Sequence, residues 1–162
     1  MALTTAWQDL VADMRDEMHD IVTIAHVDKA RQAYLGLWVT FMALPLLFGL
    51  DKFAEVMTTR WEGYLATWAN DFLPGNASDA MMWVGGIEIA LAVVIALAPR
   101  IGGDLFALWS VIVAIDLFAL EMYELGVGML ALGLCALAMA RLSGAWHHHG
   151  DMQPMSSTTP MS

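Results

Sequence analysis

The chain has 162 residues, enough for one domain, and its composition is more apolar than that of a soluble domain. Hydrophobic residues make up 59% and charged residues 15%. Soluble domains average about 45–50% apolar and about 25% charged residues, so the additional apolar residues are expected to lie in lipid. The 17 acidic residues outnumber the 7 basic ones and give a net charge of −10. This balance argues against nucleic-acid binding and against a polybasic anchor to anionic lipid.

Residues 1–32 form an acidic segment with the periodicity of a helix. Apolar side chains from Trp7 to Val22 recur at spacings of three and four, and most acidic side chains fall on the other side. We therefore predict an acidic amphipathic helix that docks on the rest of the protein or lies in the membrane interface. The segment lacks the basic start and apolar run of a cleavable signal peptide, so the first membrane span is expected to act as the insertion signal.

Four apolar runs follow, each about long enough to cross a hydrocarbon core of about 30 Å as a helix. The predicted spans are 34–50, 81–98, 105–120 and 125–140. A tight turn is expected at 100–104, and Pro45 is expected to kink the first span. The sequence therefore predicts an all-α, integral membrane four-helix bundle over residues 33–146.

An aromatic stripe lies between the first and second spans. Trp61, Leu65, Trp68 and Phe72 recur at spacings of four, three and four. This composition is typical of a short helix among lipid headgroups. We predict an interfacial helix here, with Trp61, Tyr64 and Trp68 covering the outer end of the bundle.

An even number of spans places both ends of the chain on the same side of the membrane. Four basic residues near span ends fall on that side and two on the other. The first group is Lys29, Arg31, Arg100 and Arg141, and the second is Lys52 and Arg60. The positive-inside rule therefore predicts that the N- and C-termini are cytoplasmic. The polar tail, 147–162, is predicted to be disordered.

Charged residues within the spans are the candidate site. Glu88 is the only charge in 81–98, and a carboxylate there costs about 2.5–3.5 kcal/mol on insertion scales. At 1.5 Å per residue it lies roughly 10 Å below the outer end of its helix, and Asp116 reaches a similar level. Asp51 and Lys52 lie just above them. We predict an outer-leaflet polar cluster of these four residues, with Lys52 as the counter-charge.

Two interpretations of this cluster stay open. The carboxylates are either struts that join helices or part of a binding or proton-handling site. No motif identifies a catalytic residue, a metal site or a cofactor, although a quinone is a candidate ligand of the cluster. Cys135 is the single cysteine, which excludes an intrachain disulfide, and it is expected to be buried as a small hydrophobe.

Five short motifs lie along residues 33–146. They are FGLDKF at 48–53, WEGYL at 61–65, GIEI at 86–89, PRIG at 99–102 and ARL at 140–142. In these motifs the chain resembles the DoxX family of small bacterial four-helix membrane proteins.

The resemblance implies a four-helix bundle in a bacterial inner membrane and an association with redox chemistry. Some members of that family are quinone-reducing thiosulfate oxidoreductase subunits, and others partner oxidative-stress proteins. Asp51, Lys52 and Glu88 lie inside matching motifs and are the site residues that the resemblance implies. Between the third and fourth spans, Glu124 stands where a basic residue is expected in close relatives. No site is therefore carried over to that turn.

The function expected from these features is that of an accessory or partner subunit in an envelope redox system. Its partners would be the lipid bilayer and a membrane or cytoplasmic oxidoreductase. The alternative is a small transporter, or a quinone- or lipid-binding protein, that uses the carboxylate cluster. A third interpretation is a scaffold whose acidic N-terminal helix recruits a cytoplasmic protein.

Overall fold

The computed structural model describes residues 2–22, 29–58 and 60–147, and within these ranges the chain forms helices and no β-strand. The elements are α1 (Ala2–Val22), α2 (Lys29–Ala54), a 3-10 helix (Trp61–Tyr64), α3 (Thr67–Phe72), α4 (Ala77–Leu97), α5 (Pro99–Ala119) and α6 (Tyr123–His147). Four of them, α2, α4, α5 and α6, contain segments long and apolar enough to cross a membrane. The predicted all-α four-helix membrane bundle is confirmed.

The four long helices form a closed ring of neighbours. α5 packs most extensively on α6, and α2 on α4, while contacts of α4 with α5 and of α2 with α6 complete the bundle. The apolar core lies in the half of the bundle near the start of α2. Its buried side chains are Tyr34, Leu35, Trp38, Phe41, Leu91, Ile95, Phe106, Ala136 and Met139. Large apolar side chains also cover the outer faces, as expected for surfaces in contact with lipid.

The joint between α4 and α5 is a single non-helical residue, Ala98. Pro99 has no backbone N–H, so it cannot donate a hydrogen bond to the carbonyl of Ile95 four residues earlier. Trp38 provides a donor instead, because its Nε1 lies 3.0 Å from that carbonyl oxygen. The indole of α2 thus satisfies the end of α4 inside the core, where an unpaired carbonyl would be costly.

Residues 100–104 belong to α5 and do not form the turn expected from the sequence. The glycines there allow close packing of helices. A Cβ on Gly102 would lie 2.5 Å from Ile95 Cα, and one on Gly103 would lie 2.8 Å from the Ala136 oxygen. Small residues in membrane bundles let backbones approach in this way. The glycine pair therefore serves the contacts of α5 with α4 and α6.

Other element boundaries also differ from expectation. α1 ends at Val22, and Lys29 already begins α2, so the predicted segment 1–32 includes the start of the first spanning helix. The predicted interfacial helix is divided into the 3-10 helix and α3 by extended backbone at residues 65 and 66. Pro45 lies inside α2, and the kink expected there stays a prediction. The tail predicted to be disordered, 147–162, lies outside the described residues except for His147.

The apolar face of α1 is only partly covered by the bundle. Ile21 packs against the core, whereas Trp7 and Val22 are exposed. Asp20 joins α1 to α2 through an ion pair of 2.9 Å with Arg31.

Cys135, the single cysteine, is exposed on α6. The expectation that it is buried is wrong, because it lies on an outer face of that helix.

Substitution of Gly102 by Ala is expected to lower the free energy of unfolding by about 1–3 kcal/mol, because the added methyl group would meet the backbone of Ile95. Gly86→Ala is the matched control, since nothing lies within 4 Å of a Cβ at that helical position. It should leave stability unchanged or raise it slightly. Reversible unfolding in mixed micelles measures both values. Equal losses at the two positions would contradict the packing argument.

Candidate functional site

A buried ion pair joins α2 to α4 at the end of the bundle away from the apolar core. Lys52 Nζ lies 2.7 Å from Glu88 Oε2, and the two side chains are 4% and 14% exposed. The lysine side chain runs back along its own helix, with Nζ 3.5 Å from the Phe48 carbonyl oxygen. The charged group therefore lies deeper in the bundle than the Lys52 backbone. A short, charge-assisted contact is what two charges need in a region of low dielectric.

Two glycines bring the helices close enough for this pair. A Cβ on Gly49 would lie 2.8 Å from the Gly85 oxygen, and a Cβ on Gly85 would lie 2.9 Å from the Gly49 oxygen. Lys52 and Glu88 each follow one of these glycines by three residues, which places them on the same helix faces as the glycines. The backbone contact thus sets the distance across which the ion pair forms.

Trp61, in the 3-10 helix, covers the lysine. Nζ of Lys52 lies 4.1 Å from the centre of the indole ring, within the range of a cation–π contact. The Phe48 and Tyr64 rings adjoin Trp61, at centroid distances of 6.3 and 5.8 Å. Lys52 thus has a carboxylate, a carbonyl and an aromatic face around its ammonium group. In contrast, Oε1 of Glu88 has no hydrogen-bond donor within the described part of the chain.

Asp51 is directed into the connection that follows α2. Its carboxylate accepts hydrogen bonds from the backbone N–H groups of Val56, Met57 and Thr58, at 2.9, 2.7 and 3.2 Å. It also accepts one from Trp61 Nε1 at 3.0 Å. Asp51 therefore holds the segment that follows α2 and the tryptophan that covers Lys52.

Asp116 has a different partner from the one expected. Its Oδ1 accepts a hydrogen bond of 3.1 Å from the backbone N–H of Ala66, and no direct contact with Glu88 is found among the described residues. The four predicted residues therefore form two groups. Asp51, Lys52 and Glu88 are connected through Trp61, and Asp116 holds the connection between α2 and α4 at a second point. Counting residues gives the depth of a side chain in its helix but not its direction around the helix axis. That direction decides that Asp116 lies apart from Lys52 and Glu88.

The predicted aromatic cover is also only partly formed. Trp61 is half-buried over Lys52 and Tyr64 packs on Trp61, whereas Trp68 is 45% exposed. The residues that sequence reasoning missed are Gly49, Gly85 and Ala66. The two glycines lie three residues before Lys52 and Glu88, which is a signal for a helix contact. The backbone N–H of Ala66 has no sequence signal.

Comparisons with known proteins identify no relative of this chain. No protein-family model matches it, and neither a curated protein nor a solved structure matches it.

Replacement of Lys52 by Met is expected to lower the free energy of unfolding by about 3–5 kcal/mol, because Glu88 is then buried without its cation. The double variant Lys52→Met with Glu88→Leu should regain most of this loss, since two apolar side chains need no partner in lipid. Equilibrium unfolding in mixed micelles measures both. A double variant as unstable as the single one would show that packing, not charge compensation, sets the cost.

Proposed function

We propose that this chain is a DoxX-like integral protein of a bacterial inner membrane. In this proposal it acts as an accessory or partner subunit of an envelope redox system, of the thiosulfate/quinone or oxidative-stress kind. The observation that carries the proposal is that three of the resembling motifs meet at one site. FGLDKF contributes Asp51 and Lys52, WEGYL contributes Trp61, and GIEI contributes Glu88.

If the ion pair is a structural link between α2 and α4, it fits an accessory subunit that presents a fixed surface to its partner. Lys52 is fully surrounded, and the glycine contact holds α2 and α4 together beside it. Substrate chemistry would then belong to the partner oxidoreductase, with this chain providing its attachment in the membrane. Lipid contacts the exposed apolar faces of the four spanning helices.

The proposed orientation places the N- and C-termini in the cytoplasm. It rests on the basic residues at the two ends of the bundle. Lys29, Arg31, Arg100 and Arg141 lie at the end that holds the termini. Of the two basic residues at the other end, Lys52 is buried in its ion pair, which leaves Arg60 exposed there.

A second candidate is a quinone- or lipid-binding protein, or a small transporter, that uses the same site. The observation in its favour is Oε1 of Glu88, which has no protein donor among the described residues, in an ion pair whose lysine lies under the ring of Trp61. A quinone offers an aromatic ring for stacking and carbonyl oxygens for hydrogen bonding. Such a ligand would have to displace Trp61 to reach Lys52.

The test is affinity purification of the full chain from native membranes, with mass spectrometry of co-purifying proteins and absorption spectra of extracted small molecules. The proposal expects an oxidoreductase subunit to be recovered with the chain. A quinone or lipid recovered in stoichiometric amount without a protein partner would favour the second candidate. Recovery of the folded chain with neither would count against both.

Glu88→Gln separates the two roles of the ion pair. The amide keeps an oxygen for Lys52 and nearly the same size, but it cannot titrate. Lys52 then lacks its counter-charge, so this variant should be less stable than the unmodified chain. In the fraction that folds, we expect recovery of the partner and its redox activity to be unchanged, because a strut needs only the contact. Loss of activity with the partner still bound would instead indicate a proton-handling carboxylate. Size-exclusion chromatography provides the control for folding.

A further inference from the structure

Residues 60–73 form a strap that crosses the end of the bundle between α2 and α4. The strap contains the 3-10 helix and α3. The indole of Trp61 lies over Lys52 Nζ, and the lysine side chain is only 4% exposed. The strap is therefore part of what shields the ammonium group from the aqueous phase at this end of the protein.

Two carboxylates of the bundle hold the strap at separate points. Asp51, on α2, accepts a hydrogen bond from the indole N–H of Trp61, and Asp116, on α5, accepts one from the backbone N–H of Ala66. The links are 3.0 and 3.1 Å long. Because the two carboxylates belong to different helices, they fix both the start and the middle of the strap over the bundle.

Few other interactions hold the strap in place. Neither of its short helices has a buried residue or a side-chain cap. Ala66, at 4% exposure, is the one fully buried residue of the strap. A helix of six residues has almost no stability of its own. Segments with few buried apolar contacts open at a low cost in free energy, so the carboxylate links decide how often this one opens.

We propose that the strap is a gate over Lys52, closed by Asp51 and Asp116. Opening moves Trp61 away and exposes the ammonium group to a ligand that carries an acceptor oxygen, such as a carboxylate or a carbonyl. In the closed state the indole ring lies 4.1 Å from Nζ and covers that side of the ammonium group. This inference concerns access to the ion pair and does not depend on the redox partner proposed above.

The native lysines of the chain report on the opening, so no reporter residue has to be introduced. The sequence contains two lysines, Lys29 and Lys52. Lys29 begins α2 and is exposed, so it serves as the internal reference. The full chain in lipid nanodiscs is treated with sulfo-N-hydroxysuccinimide acetate, and peptide mass spectrometry follows acetylation of each lysine over time. We expect Lys52 in the unmodified chain to react several-fold more slowly than Lys29.

Asp116→Leu and Asp116→Asn form the matched pair of variants. Leu removes the acceptor for Ala66, whereas Asn keeps an amide oxygen at the same place. Loss of one hydrogen bond changes an opening equilibrium by about 2- to 10-fold. Acetylation of Lys52 relative to Lys29 should therefore rise by about that factor in Asp116→Leu and stay near the original value in Asp116→Asn.

Trp61→Ala is the second variant, and it is independent of α5. It removes both the cover and the link to Asp51, so Lys52 acetylation should rise again. Circular dichroism and size-exclusion chromatography show which variants are folded, and if Asp116→Leu is not, Trp61→Ala carries the test. Two results would overturn the gate. One is acetylation of Lys52 as fast as that of Lys29 in the unmodified chain. The other is no rise in Lys52 acetylation in folded Asp116→Leu or, where that variant is not folded, in folded Trp61→Ala. Co-purification of a redox partner is measured separately and does not affect either result.

Discussion

The contact of α2 with α4 at Gly49 and Gly85 is the constraint on which the polar end of the bundle depends. The backbones lie so close there that a Cβ on either glycine would come within 3 Å of the opposite carbonyl oxygen. A side chain at either position would separate the helices and lengthen the 2.7 Å contact of Lys52 with Glu88. Each charge would then be buried without a partner, which costs several kcal/mol. The glycines and the ion pair are therefore one structural unit.

The two halves of the bundle are held together by different forces. Near the start of α2 the helices enclose an apolar core, and the indole of Trp38 satisfies the Ile95 carbonyl within it. At the other end the links are an ion pair, a cation–π contact and hydrogen bonds to carboxylates. Hydrogen bonds to single groups can exchange without repacking a core. Movement is therefore expected at the polar end, which is also where a ligand or a partner could be recognised.

Part of the candidate site could be read from the sequence, because depth in a membrane helix follows from counting residues. That count placed Glu88 and Lys52 near the same end of their spans, and the structure joins them. The same count gave Asp116 a similar depth, but depth does not say which way a side chain points around its helix. Its partner is the backbone of Ala66, which carries no pattern in the sequence. Asp51 likewise serves the connection after α2.

The sequence by itself determined the fold class and the number of spans, because the length of an apolar run and the positions of charges are local properties. It did not determine helix ends that depend on packing. Residues 100–104 read as a turn, yet they continue α5 because Gly102 and Gly103 fit against neighbouring backbones. Only the tertiary structure decided which helices touch, and with what rotation. Those two quantities choose the partners of the charged side chains, since Lys52 meets Glu88 across two helices and Asp116 meets the connection between α2 and α4.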